Sequence, residues 1–439
     1  MEEKIIRHSA AARDFLKDQE RAAWQDETLW VVRNKRDRLA KGVPQWEELR
    51  EKASQIKTWC GEHREELIER FSAAARANGA VVHFAKDAEA YRSIIGGILQ
   101  SHGAHTLVKS KSMLSEECGL VPYLQGLGID AVETDLGERI IQLLHQKPSH
   151  IVLPAIHLKR EQVAELFENE MGTEPGNCDP TYLTHAARKN LREKFLHADA
   201  GMTGANFAVA STGEVVVCTN EGNADMGTSF APVQIAAFGI DKIVPDLESM
   251  GVFTRLLARS ATGQAVTAYT THYSHPREGA EFHIVIVDNG RSAIQKDPMH
   301  RKVLNCLRCG ACMNTCPVYR RSGGYAYSYF IPGPIGINLG MLNDPEKHKF
   351  NLAACSLCHS CSNVCPAKVD PAEQIYAWRQ GWCSSTSKHF ISDAMRVMME
   401  KPRLFETALK VAPGGMALLR GIGVKWGNGR CLPDFPKQK

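Results

Sequence analysis

The sequence has no stretch approaching the roughly 18 uncharged apolar residues that a membrane span requires, so no spanning helix is expected. Its first 21 residues are dense in charge and lack an apolar centre, so they read as neither signal nor transit peptide. Nor is there a charge excess: 53 basic against 49 acidic residues leave a formal net charge of +4, too slight for a nucleic-acid footprint. No phosphate-binding loop ends in Gly-Lys-Ser/Thr, and no zinc-protease helix motif occurs. Gly421-x-Gly423-x3-Gly427 has the wrong final spacing for a dinucleotide fingerprint, and no strand precedes it. These absences predict a soluble cytoplasmic protein with no nucleic-acid partner and no membrane span.

What is present is a globular balance of 44% hydrophobic and 23% charged residues in 439, enough for two or three units with one large core. Fourteen cysteines without a secretion signal point to metal or redox chemistry rather than disulfides. Eight of them fall between Cys306 and Cys365; Cys60, Cys118, Cys178, Cys218, Cys383 and Cys431 are scattered without ligand spacing.

Residues 1–78 read as helical, with Trp46, Leu49, Ala53, Ile56, Cys60, Leu67, Ile68 and Phe71 near a 3.6-residue period between Pro44 and Gly79. From Ala80 the pattern becomes short apolar runs at 81–84, 106–109, 129–133 and 151–154, separated by amphipathic stretches. That alternation predicts an α/β domain with a mostly parallel sheet over 79–295. The runs 205–210 and 214–218 flank Ser211-Thr212-Gly213 and predict a hairpin, which makes the sheet mixed. Further strands are expected at 235–237, 266–271 and 282–287, ending at the Asn289-Gly290 turn.

Residues 298–343 contain no carboxylate but carry Arg301, Lys302, Arg308, Arg320 and Arg321, a shift that places a boundary near 295. A small, mainly helical domain is expected over 296–382, with helices at 351–359 and 370–382, the latter opened by Asp370-Pro371. Residues 383–439 form a C-terminal extension with one amphipathic stretch, 393–411.

The chemistry is carried by Cys306-x2-Cys309-x2-Cys312-x3-Cys316-Pro317, repeated as Cys355-x2-Cys358-x2-Cys361-x3-Cys365-Pro366. Three cysteines two residues apart let one loop wrap three irons of a cubane, and the cysteine before proline ligates the other cluster. The spacing assigns Cys306, Cys309, Cys312 and Cys365 to one [4Fe-4S] cluster, and Cys355, Cys358, Cys361 and Cys316 to a second. Zinc sites pair two ligand couples across a longer spacer, which this is not. Nearby basic residues either neutralise the anionic clusters or form a solvated face that steers an acidic partner.

Outside the cysteines the signals are weaker. Lys109 to Glu117 follows a strand and opens a helix, Thr134-Asp135 follows the next strand, and Asn220-Glu221-Gly222-Asn223 follows the hairpin. Each is either an anion or carboxylate site or ordinary capping and turn chemistry. His272, His275 and His283 read as ordinary surface or core residues rather than a metal cluster.

Several motifs together resemble the iron-sulfur protein B family of the three-protein bacterial L-lactate-utilisation system. They are Lys111-Ser-Met-Leu-Ser-Glu-Glu117, Glu133-Thr-Asp-Leu-Gly137, Pro154-Ala-Ile-His157, Gly204-Ala-Asn-Phe-Ala208 with Thr212-Gly213, Asn220-Glu-Gly-Asn223, both cysteine motifs and Ile331-Pro-Gly-Pro-Ile-Gly336. The resemblance implies a lactate-utilisation domain with a fold like CoA-transferases and ribose phosphate isomerases, followed by a two-cluster ferredoxin module. It implies electron transfer in the oxidation of L-lactate to pyruvate, with a cysteine-rich partner protein and a smaller protein bearing a related first domain. Fold kinship with CoA-transferases does not carry over their chemistry, because function belongs to sites, and the candidate reactive carboxylate in this sequence is Glu221. Two rival readings stand beside it: a catalyst that binds a hydroxy acid or phosphorylated ligand in its α/β domain, and clusters that only brace the fold.

Overall fold

The computed structural model describes residues 6–386, 396–407 and 410. Cys431, the region from Gly421 onward and, of the predicted 393–411 helix, residues 393–395, 408, 409 and 411 lie outside them, as does the side chain of Cys383. The described residues up to Arg379 form one compact unit, and those from Gln380 onward a second, in which 396–400 and 402–407 are helical.

Ten strands are found among the described residues: β1 Val81–Ala85, β2 Thr106–Lys109, β3 Asp130–Glu133, β4 Ala200–Gly204, β5 Phe207–Val209, β6 Glu214–Thr219, β7 Val233–Gly239, β8 Ile243–Val244, β9 Tyr269–Tyr273 and β10 Glu281–Val287. Six of them make one sheet in the order β1-β10-β7-β4-β2-β3, with every pairing parallel. The expected α/β domain with a parallel-dominated sheet is therefore present. Its central strand β7 is buried at all seven positions, as a strand covered on both faces must be. Alternate side chains serve opposite cores: Ile235, Ala237, Val285 and Val287 pack with Tyr91, Ile95 and Leu99, while Ala236, Phe238, Ile284 and Ile286 pack with Leu67, Phe71 and Ala75.

The predicted hairpin forms, with Phe207 opposite Val216 and Ala208 opposite Val215. It belongs not to the main sheet but to a second one, ordered β8-β5-β6-β9, and the mixed pairing is confined there. Gly213 has φ +71° and a Cβ on it would meet Ala75 N at 2.3 Å, so both the turn and the close approach of the helix Arg64–Ala77 require glycine.

Three local expectations are corrected. Residues 151–154 are not a strand but an irregular loop, because the His150 ring accepts the Val152 and Leu153 N–H groups that a ladder would use, each at 3.0 Å. The strand expected at 266–271 begins only at Tyr269. Residues 351–359 are a 3-10 turn, Lys349–Ala354, followed by a loop with Leu357 and His359 in the left-handed region.

The N-terminal segment forms the helices His8–Phe15, Gln19–Lys41, Trp46–Glu62 and Arg64–Ala77, the last two separated by a break at His63. Trp46, Leu49 and Ala53 share an apolar core with Phe253 and Leu256 of the helix Leu247–Ala261 and with Leu307, Cys309, Ala311, Val364 and Ala367. The cysteine loops are thus built onto the same core as the N-terminal helices and the second sheet.

Close backbone contact also seats the helix Asn223–Phe230 on β4: a Cβ at Gly201 would meet Gly227 O at 1.9 Å. Gly201→Ala is expected to destabilise the protein by about 1–3 kcal/mol through forced backbone displacement, measured as a lowered midpoint of chemical denaturation.

Candidate functional site

The two cysteine loops repeat one backbone. Each is preceded by a 3-10 turn, Arg301–Asn305 or Lys349–Ala354, and followed by a five-residue helix, Ala311–Thr315 or Ser360–Val364. Each places left-handed residues two and four positions after its first cysteine: Arg308 and Gly310 in one, Leu357 and His359 in the other. That geometry turns backbone N–H groups toward sulfur. Arg308 N donates to Cys306 Sγ and Leu357 N to Cys355 Sγ, both at 3.3 Å; Tyr319 N donates to Cys316 Sγ at 3.4 Å and Val369 N to Cys365 Sγ at 3.3 Å. Such bonds stabilise ligating sulfurs.

The thiols fall into two electrostatic groups. Burial pushes Cys309 up to about 12, and the charges of Cys365 and Cys306 add to it. Burial likewise raises Cys312, with Cys306, Cys309, Cys361 and Cys365 adding, and raises Cys365 to about 11, with Cys306 adding. In the other group burial pushes Cys316 up to about 11 and Cys361 up to about 12, and Cys355 and Cys358 bear on both. Charge thus couples Cys365 to the first three cysteines of the other motif and Cys316 to Cys355, Cys358 and Cys361, while Cys312 also feels Cys361 across the two groups. All twelve cysteines whose side chains are described are free thiols. Cys309, Cys316 and Cys361 are buried, whereas Cys358 is exposed.

The surroundings fit an anionic metal-sulfur group. Arg308 Nη1 is buried without a hydrogen-bond partner, and although burial opposes its charge, Cys306, Asp241 and Glu117 hold the guanidinium charged. Of the five predicted basic residues two bear on the thiols, Arg308 on Cys306 and Arg320 on Cys316. Arg301 and Lys302 are exposed, and Arg320 and Arg321 pair with Asp26 at 3.2 and 3.3 Å.

Sequence reasoning missed the frame that holds the loops. Arg36 donates to Val364 O at 3.0 Å, Arg50 to Cys365 O at 2.9 Å, and Arg33 to Thr315 Oγ1. Lys242 donates to Cys306 O at 3.1 Å, and Arg379 donates to Cys355 O at 2.5 Å. From the irregular 147–158 segment, His150 bonds Asn314 Oδ1 at 2.9 Å while Ser149 O accepts from Tyr319 OH at 2.6 Å. Burial lowers His150 to about 3, so the ring is neutral. The arginines sit in helices among many other charges, and only their distance from one another in sequence hides the shared target.

A buried ionic knot joins the first cysteine loop to the main sheet. Directly after β7, the Asp241 carboxylate meets Arg291 at 2.6 Å and Lys242 at 3.1 Å, and Arg291 also pairs with Glu117 at 2.8 Å. Burial alone would raise Asp241, yet Lys242, Arg291, Arg308 and Lys57 hold it well below the ordinary range.

Above this knot lies a cavity of about 360 Å³ at the C-terminal ends of the parallel strands, where ligands of open α/β sheets bind. Leu307, Arg308 and Cys309 form one wall; Lys111, Asn206 and Glu221 are among the polar residues of the others. Glu221 accepts from Leu136 N at 3.1 Å, and burial followed by the nearby Asp135 pushes it up to about 7. Asn223 donates to Thr134 Oγ1 at 3.3 Å and leaves its own Oδ1 buried and unpaired.

The other candidates resolve mostly into structure. Lys109 is buried against Glu133 at 2.7 Å and Lys111 faces Glu138 at 3.1 Å, so both lysines already have anions. Ser112 and Asp135 cap helices by accepting from Ser115 N and Glu138 N. Thr134 binds Lys109 O at 3.0 Å, and Asn220 bonds Gln264 at 2.9 Å. His272 pairs with Glu214 at 2.9 Å and His275 with Ser274 at 2.8 Å, so the His272, His275, His283 trio is dispersed.

A LUD domain model matches residues 68–292, and a 4Fe-4S dicluster domain model matches residues 302–369. Lactate utilization protein B of Geobacillus thermodenitrificans is 40% identical over 385 residues, covering 85% of this chain and 80% of its own. The Uncharacterized electron transport protein YkgF of Escherichia coli is 42% identical over 352 residues, covering 79% of this chain and 74% of its own. A crystal structure of a DUF162 family protein from Deinococcus radiodurans covers 51% of this chain at 15% identity and a TM-score of 0.29, a superposition too loose to bear on the fold. Sheet, cysteine loops and domain matches together define an iron-sulfur protein that couples a LUD domain to a 4Fe-4S dicluster domain. Within that class the chain belongs to the lactate utilization protein B family.

Asp241→Asn removes the carboxylate between Arg291 and Lys242 and strands buried cations. It is expected to cost about 3–5 kcal/mol near neutral pH, read from denaturant midpoints, and to release the first cysteine loop, read as faster iron loss to a chelator.

Proposed function

We propose that this chain is an electron-transfer protein of L-lactate oxidation to pyruvate, with two [4Fe-4S] clusters held by Cys306, Cys309, Cys312 and Cys365 and by Cys355, Cys358, Cys361 and Cys316. The observation that carries the reading is the electrostatic grouping of the eight thiols, each quartet completed by the cysteine before proline of the other motif. When bound, such clusters exchange single electrons. The protein's contribution is to bring sulfur donors together, donate backbone N–H bonds to them and hold Arg308 beside the first quartet. Bracing alone leaves unexplained why one quartet borders a cavity through Cys309 while the other reaches the surface at Cys358.

The relatives' name supports a place in a lactate-utilization system. We assign it partners within that system, a cysteine-rich protein and a smaller LUD-domain protein, docking near Cys358. Functional divisions at 1–78, 79–295, 296–382 and 383–439 accompany this reading. Cysteines spaced for iron rather than for disulfides support a reducing, cytoplasmic setting, and no helix among the described residues is long and apolar enough to cross a membrane.

The test is an anoxic preparation. Cys309→Ser and Cys358→Ser are each expected to lower iron from about eight to about four per chain and to remove one of two reduced EPR signals while the fold persists. Unfolding of both variants sinks the proposal, and so does undiminished electron transfer by a folded variant that has lost half its iron.

A second reading is favoured by the cavity, whose wall includes Cys309: the α/β domain binds a hydroxy acid or phosphorylated ligand there. Glu221 would then hold its proton up to about pH 7 and accept an anion beside it only while neutral. Its folded-state value is raised, so the neutral form predominates below that pH and is lost as pH rises through it. Lactate or phosphate binding, followed calorimetrically, is expected to weaken above pH 7, and Glu221→Gln to abolish that dependence.

A further inference from the structure

At the opposite end of the main sheet from the cavity, where β10 begins, His102, Glu281 and His283 converge. Their ligand-type atoms all lie within 4.8 Å of one another. His102 Nε2 stands 3.3 Å from Glu281 Oε1, and His283 Nε2 stands 3.3 Å from Glu281 Oε2. A tetrahedral zinc ion with bonds of about 2.0–2.1 Å spaces its ligand atoms about 3.3 Å apart, and each imidazole stands at that distance from one oxygen of the Glu281 carboxylate, His102 from Oε1 and His283 from Oε2, so a small rotation of the carboxylate brings a single oxygen to both.

The imidazoles are oriented for ligation. His102 Nδ1 lies 2.8 Å from Ile98 O, a pure acceptor, so Nδ1 carries the proton and Nε2 offers its lone pair. His283 Nδ1 lies 3.1 Å from His83 Nε2, a partner that leaves His283 Nε2 directed at Glu281. Metal-bound histidines characteristically have the second ring nitrogen occupied in this way. His283 Nε2 is buried without a hydrogen-bond partner, because its approach to the carboxylate lacks hydrogen-bond alignment. A proton on His102 would serve the first contact but leave the second unexplained.

We propose that His102, Glu281 and His283 form a site for a divalent transition metal, zinc by its ligand chemistry, with His83 as the positioning residue. Two imidazoles and one carboxylate suit zinc over calcium or magnesium, which prefer all-oxygen shells. The fourth position is open to water. His102 follows the helix Ala88–Ser101 and Glu281 opens β10, so the ion would clamp a helix end to a central strand. The site is independent of the cluster reading.

The experiment uses anoxically prepared, iron-replete full chain dialysed against zinc, with zinc and iron counted together and cobalt(II) as a spectroscopic probe. One zinc per chain beyond the iron is expected, together with a cobalt spectrum free of the thiolate charge-transfer band. His102→Ala and Glu281→Gln alter exposed side chains, so each should keep the iron content while weakening zinc at least tenfold; His83→Phe should weaken it roughly 10- to 100-fold. Equal zinc uptake by the His102→Ala/Glu281→Gln double variant overturns the proposal. So does a thiolate band with cobalt, or zinc that enters only as iron leaves.

Discussion

The site depends on burying charge where the parallel sheet meets the first cysteine loop. Asp241 is 4% exposed, yet it stays ionised because Arg291 and Lys242 contact it directly. Lys242 reaches onward to Cys306 O, Lys57 donates to Asp241 O, and Arg64 donates to Arg291 O at 3.3 Å. Asp241, through its carboxylate to Arg291 and Lys242 and its main-chain carbonyl to Lys57, thereby centres a network that ties together the end of β7, two N-terminal helices and the start of the cysteine loop. Lys57, Lys242, Arg291 and Arg308 outnumber Asp241 and Glu117 in this region, and burial together with neighbouring Lys242 and Arg64 pulls Lys57 down to about 8. A positive surplus in a low-dielectric region calls for an anion, and an iron-sulfur cluster on four thiolates is one.

The cysteine loops lean on each other as much as on this frame. In the proposed ligand assignment each fourth cysteine serves the other motif's first three, so neither quartet assembles without both loops in place. The N-terminal helices supply arginines that donate to carbonyls around the sulfur-bearing turns, leaving backbone N–H groups for sulfur. Residues 8–62 thus serve the cysteine region although they precede the α/β domain in the chain. The described residues up to Arg379 are one compact unit with a shared core, even where the domain matches fall on separate segments.

The parallel sheet polarises the molecule. Its strand C-termini deliver Lys109, Gly204 and Gly239 toward the cavity and the cysteine loop, while its N-terminal edge carries Glu281 and the nearby histidines. An all-parallel sheet makes these two ends chemically distinct, which the mixed sheet β8-β5-β6-β9 does not. That second sheet instead carries Cys218 and Thr219 into the cavity wall.

Two regular patterns made much of this legible from sequence: cysteine spacing, which reflects cubane geometry, and alternation of apolar runs, which reflects the strand period. The eight motif cysteines, the α/β character, the hairpin at Gly213 and the helix opened by Pro371 rest on such local periodicities. The 151–154 run misled because apolar content says nothing of where N–H groups go, and there they go to His150. How Arg33, Arg36 and Arg50 reach the cysteine loops, how Glu221 comes to face a cavity beside Cys309, and why His283 meets His102 rather than His272 were decided only by the tertiary structure. Those relations join residues dozens to hundreds of positions apart, and local spacing carries no information about distances that the packing of the whole chain sets.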